Sequence, residues 1–164
     1  MMDPDAYGSS HDPHGLGRFV AAQAADYPRA LAEIRSGRKR THWMWYVFPQ
    51  LEGLGSSAIS RRYAIRDLAE AEAYLGHPVL GARLKECCEA ALQVEGRSAQ
   101  EIFGSPDDMK FHSCATLFAA VSPAGSVFDR VLGKYFQGRR DALTVGLLGA
   151  AGLSEPVVRP GNPR

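Results

Sequence analysis

Residues 16–34 read LGRFVAAQAADYPRALAEI, and Leu16, Phe19, Val20, Gln23, Tyr27, Leu31 and Ile34 recur along them at intervals of three and four. That spacing gathers these side chains on one face and predicts an amphipathic α-helix with a single apolar stripe. Pro28 interrupts the run and predicts a kink, and Gly37 supplies the stop. The same period continues outward along the chain. Asp67 is placed to cap a short helix that carries Leu68, Ala71 and Leu75 and ends at Gly76. His77-Pro78 opens the next, with proline in the first turn where its missing N–H costs nothing, and Leu80, Leu84, Cys87, Ala91 and Val94 form its buried stripe. Ser98-Ala99-Gln100-Glu101 is a capping-box pattern before a very short helix that stops at Gly104. Ser105-Pro106-Asp107-Asp108 starts another, its two carboxylates in the first turn where the helix dipole favours them, and Phe111, Cys114, Ala115, Phe118 and Val121 follow. Val127, Phe128, Val131, Leu132, Tyr135 and Phe136 make a further stripe closed by Gly138, and Asp141 caps a last short helix through Leu148. No alternating run is long enough for a strand, no phosphate-cradling glycine loop occurs, and there is no internal repeat. The expected fold is all-α, a compact single domain of about six or seven short-to-medium helices over residues 15–150. It stands between a flexible N-terminal segment, 1–14, and a flexible C-terminal tail, 151–164.

Composition fits that reading. The chain has 164 residues, 45% of them apolar and 23% charged, which suits one ordinary globular domain and excludes wholesale disorder. With 19 basic and 18 acidic residues the formal charge is +1, so a general nucleic-acid or membrane-surface binder is not expected. Residues 1–15 lack the apolar core of a secretory signal. The longest charge-free apolar stretch, Leu143 to Leu153, is about half the ~20 residues of a membrane span. Cys87, Cys88 and Cys114 are odd in number and form no C-x-x-C, which gives neither a disulfide framework nor a zinc ribbon. Reduced thiols and a cytoplasmic location are the expectation.

One stretch stands apart. Residues 38–50 hold both tryptophans, Trp43 and Trp45, with Tyr46 and Phe48: four of the chain's 15 aromatic residues within six positions. No single helix face hides them all. Thr41 can cap a two-turn helix that Pro49 ends, and Gly53, Gly55, Ser56 and Ser57 make a flexible loop behind it. Two readings stay open. In one, the tryptophans are core packing. In the other, an aromatic face stacks a planar ligand whose phosphate or carboxylate meets Arg38, Lys39 or His42, with Gln50 adding a polar contact.

A second constellation is Gly104-Ser105-Pro106-Asp107-Asp108-Met109-Lys110. One carboxylate of Asp107 and Asp108 is expected to cap the helix, and the other to serve as a general acid or base or to orient His42 or an arginine. Because both occupy the positive end of the helix, a phosphate bound there is not expected. Lys110 and Ser113 share a face, a spacing too common to mark a Ser-Lys catalyst. His112 and Cys114 diverge on a helix, which argues against a thiol enzyme. The five histidines have no metal-ligand spacing, so no metal and no cofactor is expected.

These residues carry a resemblance. Arg18-Phe19-Val20 with Gln23, Gly37-Arg38-Lys39 running into His42-Trp43-Met44-Trp45, Phe48-Pro49-Gln50-Leu51, His77-Pro78-Val79-Leu80-Gly81, Phe103-Gly104 with Pro106-Asp107-Asp108, and Thr116-Leu117-Phe118 all contribute. Together with the segment Phe136, Gly138, Asp141 and Thr144, the chain resembles domain-of-unknown-function family 1810 over about residues 16–148. Cys114 stands where the family pattern has serine, which argues against a required hydroxyl there. The resemblance implies a compact all-helical protein of bacterial type with no established activity. Some relatives carry the label calpastatin; it does not transfer, since that inhibitor is a disordered repeat chain and this is one folded domain without repeats.

The function expected from these readings is binding of a small anionic, nucleotide-like ligand by Arg38, Lys39, Trp43, Trp45, Gln50 and Lys110. As an enzyme it would be a hydrolase or N-glycosidase on an ADP-ribose-like group, with His42, Asp107 and Asp108 as catalytic candidates. The alternative is a non-enzymatic interaction module for a protein or a single-stranded nucleic acid. Charge distribution supports a localised anion site. Between Arg35 and Arg66 seven basic residues face one acidic, a local charge of +6, while the rest of the chain carries twelve against seventeen, or −5.

Overall fold

The computed structural model describes residues 12–152, which form nine helices. They are α1 (Gly17–Arg35), α2 (Met44–Val47), α3 (Ala58–Arg62), α4 (Leu68–Gly76), α5 (Leu80–Gln93), α6 (Ala99–Phe103), α7 (Asp107–Ala119), α8 (Val127–Phe136) and α9 (Ala142–Gly152). Among the described residues there is no strand, only a bridge pairing Leu51 with Ile65. Most of the two expected loose ends, 1–14 and 151–164, lies outside the described residues.

The local signals hold where both halves of a cap lie within a few residues. Asp67 accepts the Glu70 N–H at 2.9 Å, and Ser98 and Glu101 make both bonds of a capping box. Asp141 accepts the Thr144 N–H at 3.1 Å at the start of α9. Pro28 sits inside α1 without ending it. Ala24, Ala25 and Pro28 are all exposed, so the carbonyl that loses its N–H partner there faces water.

Other starts differ from expectation. Nine helices stand where six or seven were expected, and one of the additional ones, α3, forms directly after the stretch read as loop, capped by Ser57, which accepts the Ser60 N–H at 3.1 Å. Thr41 does not cap α2; Trp43 precedes that helix and the Thr41 hydroxyl binds Glu33 instead. Neither Asp107 nor Asp108 caps α7, whose N-terminal boundary residue, Pro106, has no cap bond. His77 replaces Pro78 as the device that starts α5: its Nδ1 accepts the N–H groups of Val79 and Leu80 at 3.1 and 3.2 Å.

The core is built around α7. Phe111 and Ser113 through Ala119 are all buried, so this helix is covered on nearly every side. It packs against α8, α6, α9 and α4, while α5 bridges α1, α4 and α8. Phe111 lies 4.9 Å from Phe48 and 4.5 Å from Phe103, and Phe118 lies 5.4 Å from Tyr74 and 5.7 Å from Phe128. Each such buried ring contributes about 1.5–3 kcal/mol by leaving water. At the start of α1, Arg18 reaches the fully buried Glu70 at 2.8 Å and the carbonyls of Arg62 and Ala64. Arg66 meets the same carboxylate at 3.0 Å, which fastens the chain before α4 to α1.

Candidate functional site

The aromatic–basic stretch is organised by a residue the sequence did not single out. Glu33, near the end of α1, is 9% exposed and faces the loop that follows. Its Oε1 accepts the Arg40 N–H at 2.9 Å, the Thr41 N–H at 3.1 Å and the Trp43 indole N–H at 2.8 Å, and its Oε2 accepts the Thr41 hydroxyl at 2.8 Å. Burial pushes its pKa up, but these donors outweigh burial and bring it down to about 2. The loop is fastened elsewhere too. The Arg38 N–H donates to the Glu33 carbonyl at 3.1 Å and the Lys39 N–H to the Ile102 carbonyl at 2.7 Å. Arg97 Nε donates to the Gly37 carbonyl at 2.8 Å, and Gly37 adopts φ +81°, which a side chain would resist.

This anchoring sorts the expected site residues into three groups. Lys39 and Trp43 turn inward. Trp43 has no exposed surface, and the Lys39 ammonium lies 5.1 Å from its ring centroid and 2.8 Å from Asp107 Oδ2. Trp45, Gln50 and Lys110 meet at a surface notch also lined by Phe48, Ser60 and Tyr63. Lys110 stands 5.1 Å over the half-buried Trp45 ring and 3.5 Å from Asp107 Oδ1, so Asp107 links the inward lysine to the notch lysine. Arg38 and His42 turn outward, and neither side chain has a hydrogen-bond or ion-pair partner among the described residues. Asp108 is half-buried, and its Oδ1 has no hydrogen-bond partner.

The notch is small, about 10 Å³, room for one water molecule. Gly55 is required beside it, because a Cβ there would lie 2.6 Å from Ser60. Ser60 and Tyr63 were missed because they fall on the unexpected α3 and its end. The Ser57-to-Ser60 spacing is the signal that could have found them. Glu33 had no local signal, since its donors are seven to ten residues away.

The other pairings considered from sequence do not form. Ser113 Oγ binds the Met109 carbonyl and Asp141 Oδ2 rather than Lys110. His112 bonds the Arg139 carbonyl at 2.8 Å and stacks on Phe136 at 4.0 Å. Burial pushes the Cys87 thiol up to about 12, and the Cys88 and Cys114 thiols well above their usual range. The +6 segment is partly neutralised in three dimensions. Arg35 pairs with Glu86 at 3.6 Å, Lys39 with Asp107 and Arg66 with Glu70. Among the described residues no group of three or more His, Cys, Asp or Glu side chains could hold a metal ion. No helix there is long and apolar enough to cross a membrane.

Fold and site define a helical protein with a small aromatic–basic notch and, beside it in the chain, a loop held by a buried carboxylate. The chain belongs to the protein family of unknown function DUF1810, whose model matches residues 13–148. It is similar to the conserved hypothetical protein Rv1873 from Mycobacterium tuberculosis, known from a crystal structure, at 54% identity and a TM-score of 0.83. That likeness covers 84% of this chain and 99% of the other. No curated protein matches.

Proposed function

We propose that this protein binds a small anionic, nucleotide-like ligand across the mouth of the Trp45 notch. The observation that carries the reading is Lys110, an ammonium held over a half-buried indole and 3.5 Å from its carboxylate partner. A cation in that position keeps capacity for an anion, and the indole offers a planar group its face. Gln50, Ser60 and Tyr63 supply polar contacts, and Lys39 holds Asp107 so that Asp107 positions Lys110. Extended to chemistry, the reading is acid–base hydrolysis or N-glycosidic cleavage on an ADP-ribose-like group. Asp108 is then the proton-transfer carboxylate because its Oδ1 is not engaged by the fold, and His42 the second candidate. Arg38 does not line the notch and has no part in this reading.

The test is a thermal-shift panel of AMP, ADP, NAD and ADP-ribose, with native mass spectrometry of the same mixtures. At least one nucleotide should raise the unfolding midpoint, and Trp45→Ala or Lys110→Ala should abolish the shift. No shift across the panel ends the reading. For catalysis, loss of Asp108→Asn turnover with retained binding is the expected outcome.

A second reading, a non-enzymatic interaction module for a protein or single-stranded nucleic acid, is favoured by one feature. A notch with room for one water molecule encloses no nucleotide, whereas an open aromatic–basic surface suits docking.

A further inference from the structure

The outward side of the Glu33-anchored loop carries its own pattern. Exposure alternates strictly from Gly37 to Trp43: Arg38, Arg40 and His42 are exposed, while Gly37 and Trp43 are buried and Lys39 and Thr41 are engaged with Asp107 and Glu33. Arg38 and Arg40 flank the inward Lys39 on backbone without helix or bend, so they project to the same side, about 6–7 Å apart as in extended chain, before the chain bends at Thr41 and His42. Arg97 extends the row, because its Nε is fixed on the Gly37 carbonyl next to Arg38.

Among the described residues no carboxylate pairs with Arg38, Arg40 or Arg97, unlike Arg18, Arg29, Arg35, Arg66, Arg130 and Arg140. Three carboxylates of the neighbouring elements are committed elsewhere, and Glu95, two residues before Arg97, is exposed and makes no ion pair among the described residues. Glu33 faces inward onto four donors, Asp107 holds Lys39 and Lys110, and Glu101 closes the capping box of α6. The backbone under the row is held by Glu33, Ile102 and Arg97, so two guanidinium groups are displayed from a loop that docking need not reorder, with Arg97 beside them from the α5–α6 connection.

We infer that Arg97, Arg38 and Arg40 form a docking surface for an acidic peptide segment in extended conformation. An extended peptide places alternate side chains on one side at the same repeat, so carboxylates two apart come into register with Arg38 and Arg40. Single-stranded nucleic acid fits less well. The three arginines bring no aromatic ring, Trp43 is buried and Trp45 lines the notch, and a longer polyanion would soon leave the row for a chain whose net charge is only +1. The loop's backbone N–H groups at Arg38 to Thr41 all have internal partners, so recognition is by side chains and not by strand addition. The inference gives the interaction-module reading a place and a partner class, and it concerns a different surface from the notch.

The test is fluorescence anisotropy at low salt on the full chain. The probes are a labelled Asp-Ala alternating peptide, a peptide of the same composition with its aspartates grouped at one end, and labelled oligo-thymidylate. The alternating peptide is expected to bind best. Arg38→Ala/Arg40→Ala should weaken it by about tenfold or more, the size expected when two charge-assisted contacts are lost. Both arginines are exposed, so the double variant should keep the parent's unfolding midpoint. Trp45→Ala should leave peptide binding unchanged, which separates this surface from the nucleotide reading. Equal binding by parent and double variant, no peptide binding, or tighter binding of oligo-thymidylate than of the alternating peptide would overturn the inference.

Discussion

Glu33 shows how one side chain fixes the geometry of a site it does not line. Four donors from residues 40–43 converge on its carboxylate, and hydrogen bonds to a charged group are each worth about 1.5–3 kcal/mol when buried. Its folded pKa is depressed from 4.5 to about 2, so the charged form is the one the fold stabilises. The stability it contributes is fully present above about pH 4.5 and is lost as pH falls through about 2; the shift corresponds to about 3 kcal/mol. Glu33→Gln keeps the shape and removes the charge. It is therefore expected to cost about 3 kcal/mol near pH 7, with the gap to the parent closing as pH drops toward 2. Urea unfolding of both proteins across that range measures the gap, and a pH-independent gap would show that the ionised carboxylate is not what holds the loop. Glu33→Ala should cost more, because it also leaves the Trp43 indole N–H and two backbone N–H groups without an acceptor. The partition of Trp43 into the core and Trp45 into the notch follows from this anchor. Sequence left both readings open for the pair, because the bond that divides them spans ten residues and no short-range pattern encodes it.

At the scale of helices, the close approach of α4 and α5 depends on a single missing methyl group. A Cβ on Gly81 would lie 2.0 Å from the Leu75 carbonyl oxygen, and a backbone atom has no rotamer into which to retreat. Helical Gly→Ala ordinarily stabilises by about 0.5–1 kcal/mol through lower backbone entropy. Gly81→Ala should instead destabilise by about 3 kcal/mol or more, because the two helices must separate and α5 also packs on α1 and α8. Gly133→Ala in α8 meets nothing within 4 Å and should give the ordinary gain. The same substitution thus takes opposite signs at two helical sites, and paired thermal melts decide it: a tolerated Gly81→Ala would refute the close approach. The apolar stripes of α1 and α8 and the caps of α4 and α6, each complete within a few turns, were legible in the sequence. The starts of α2, α5 and α7 were less so. Thr41 was drawn off by Glu33, His77 used its ring where a proline was the visible signal, and Asp107 was taken by lysines from two elements. For Thr41 and Asp107 a tertiary partner displaced the local one, whereas His77 is itself a local cap, made by a ring and not by the expected proline.

For the whole molecule, the question is whether these helices open as one unit. The three thiols report on it because they sit on two different helices of the same core, Cys87 and Cys88 on α5 and Cys114 on α7, none more than 1% exposed. Burial keeps each neutral where an open chain would ionise it near 9, so stability should fall as pH rises above about 9, by up to ~1.4 kcal/mol per pH unit for each thiol. At neutral pH the same burial blocks reaction with an aromatic disulfide reagent until the core opens. Neither α5 nor α7 can expose its cysteines alone, because α8 packs on both and α4 joins them. Once one adduct forms, its bulk cannot be returned to a close-packed interior, and the remaining thiols stay open to reaction. Intact-mass analysis during labelling should therefore show chains with none or all three thiols modified. The rate should rise with urea along the slope of global unfolding. A lasting population labelled only at Cys114, or only at Cys87 and Cys88, would mean that α7 and α5 open separately and that the helices make more than one cooperative unit.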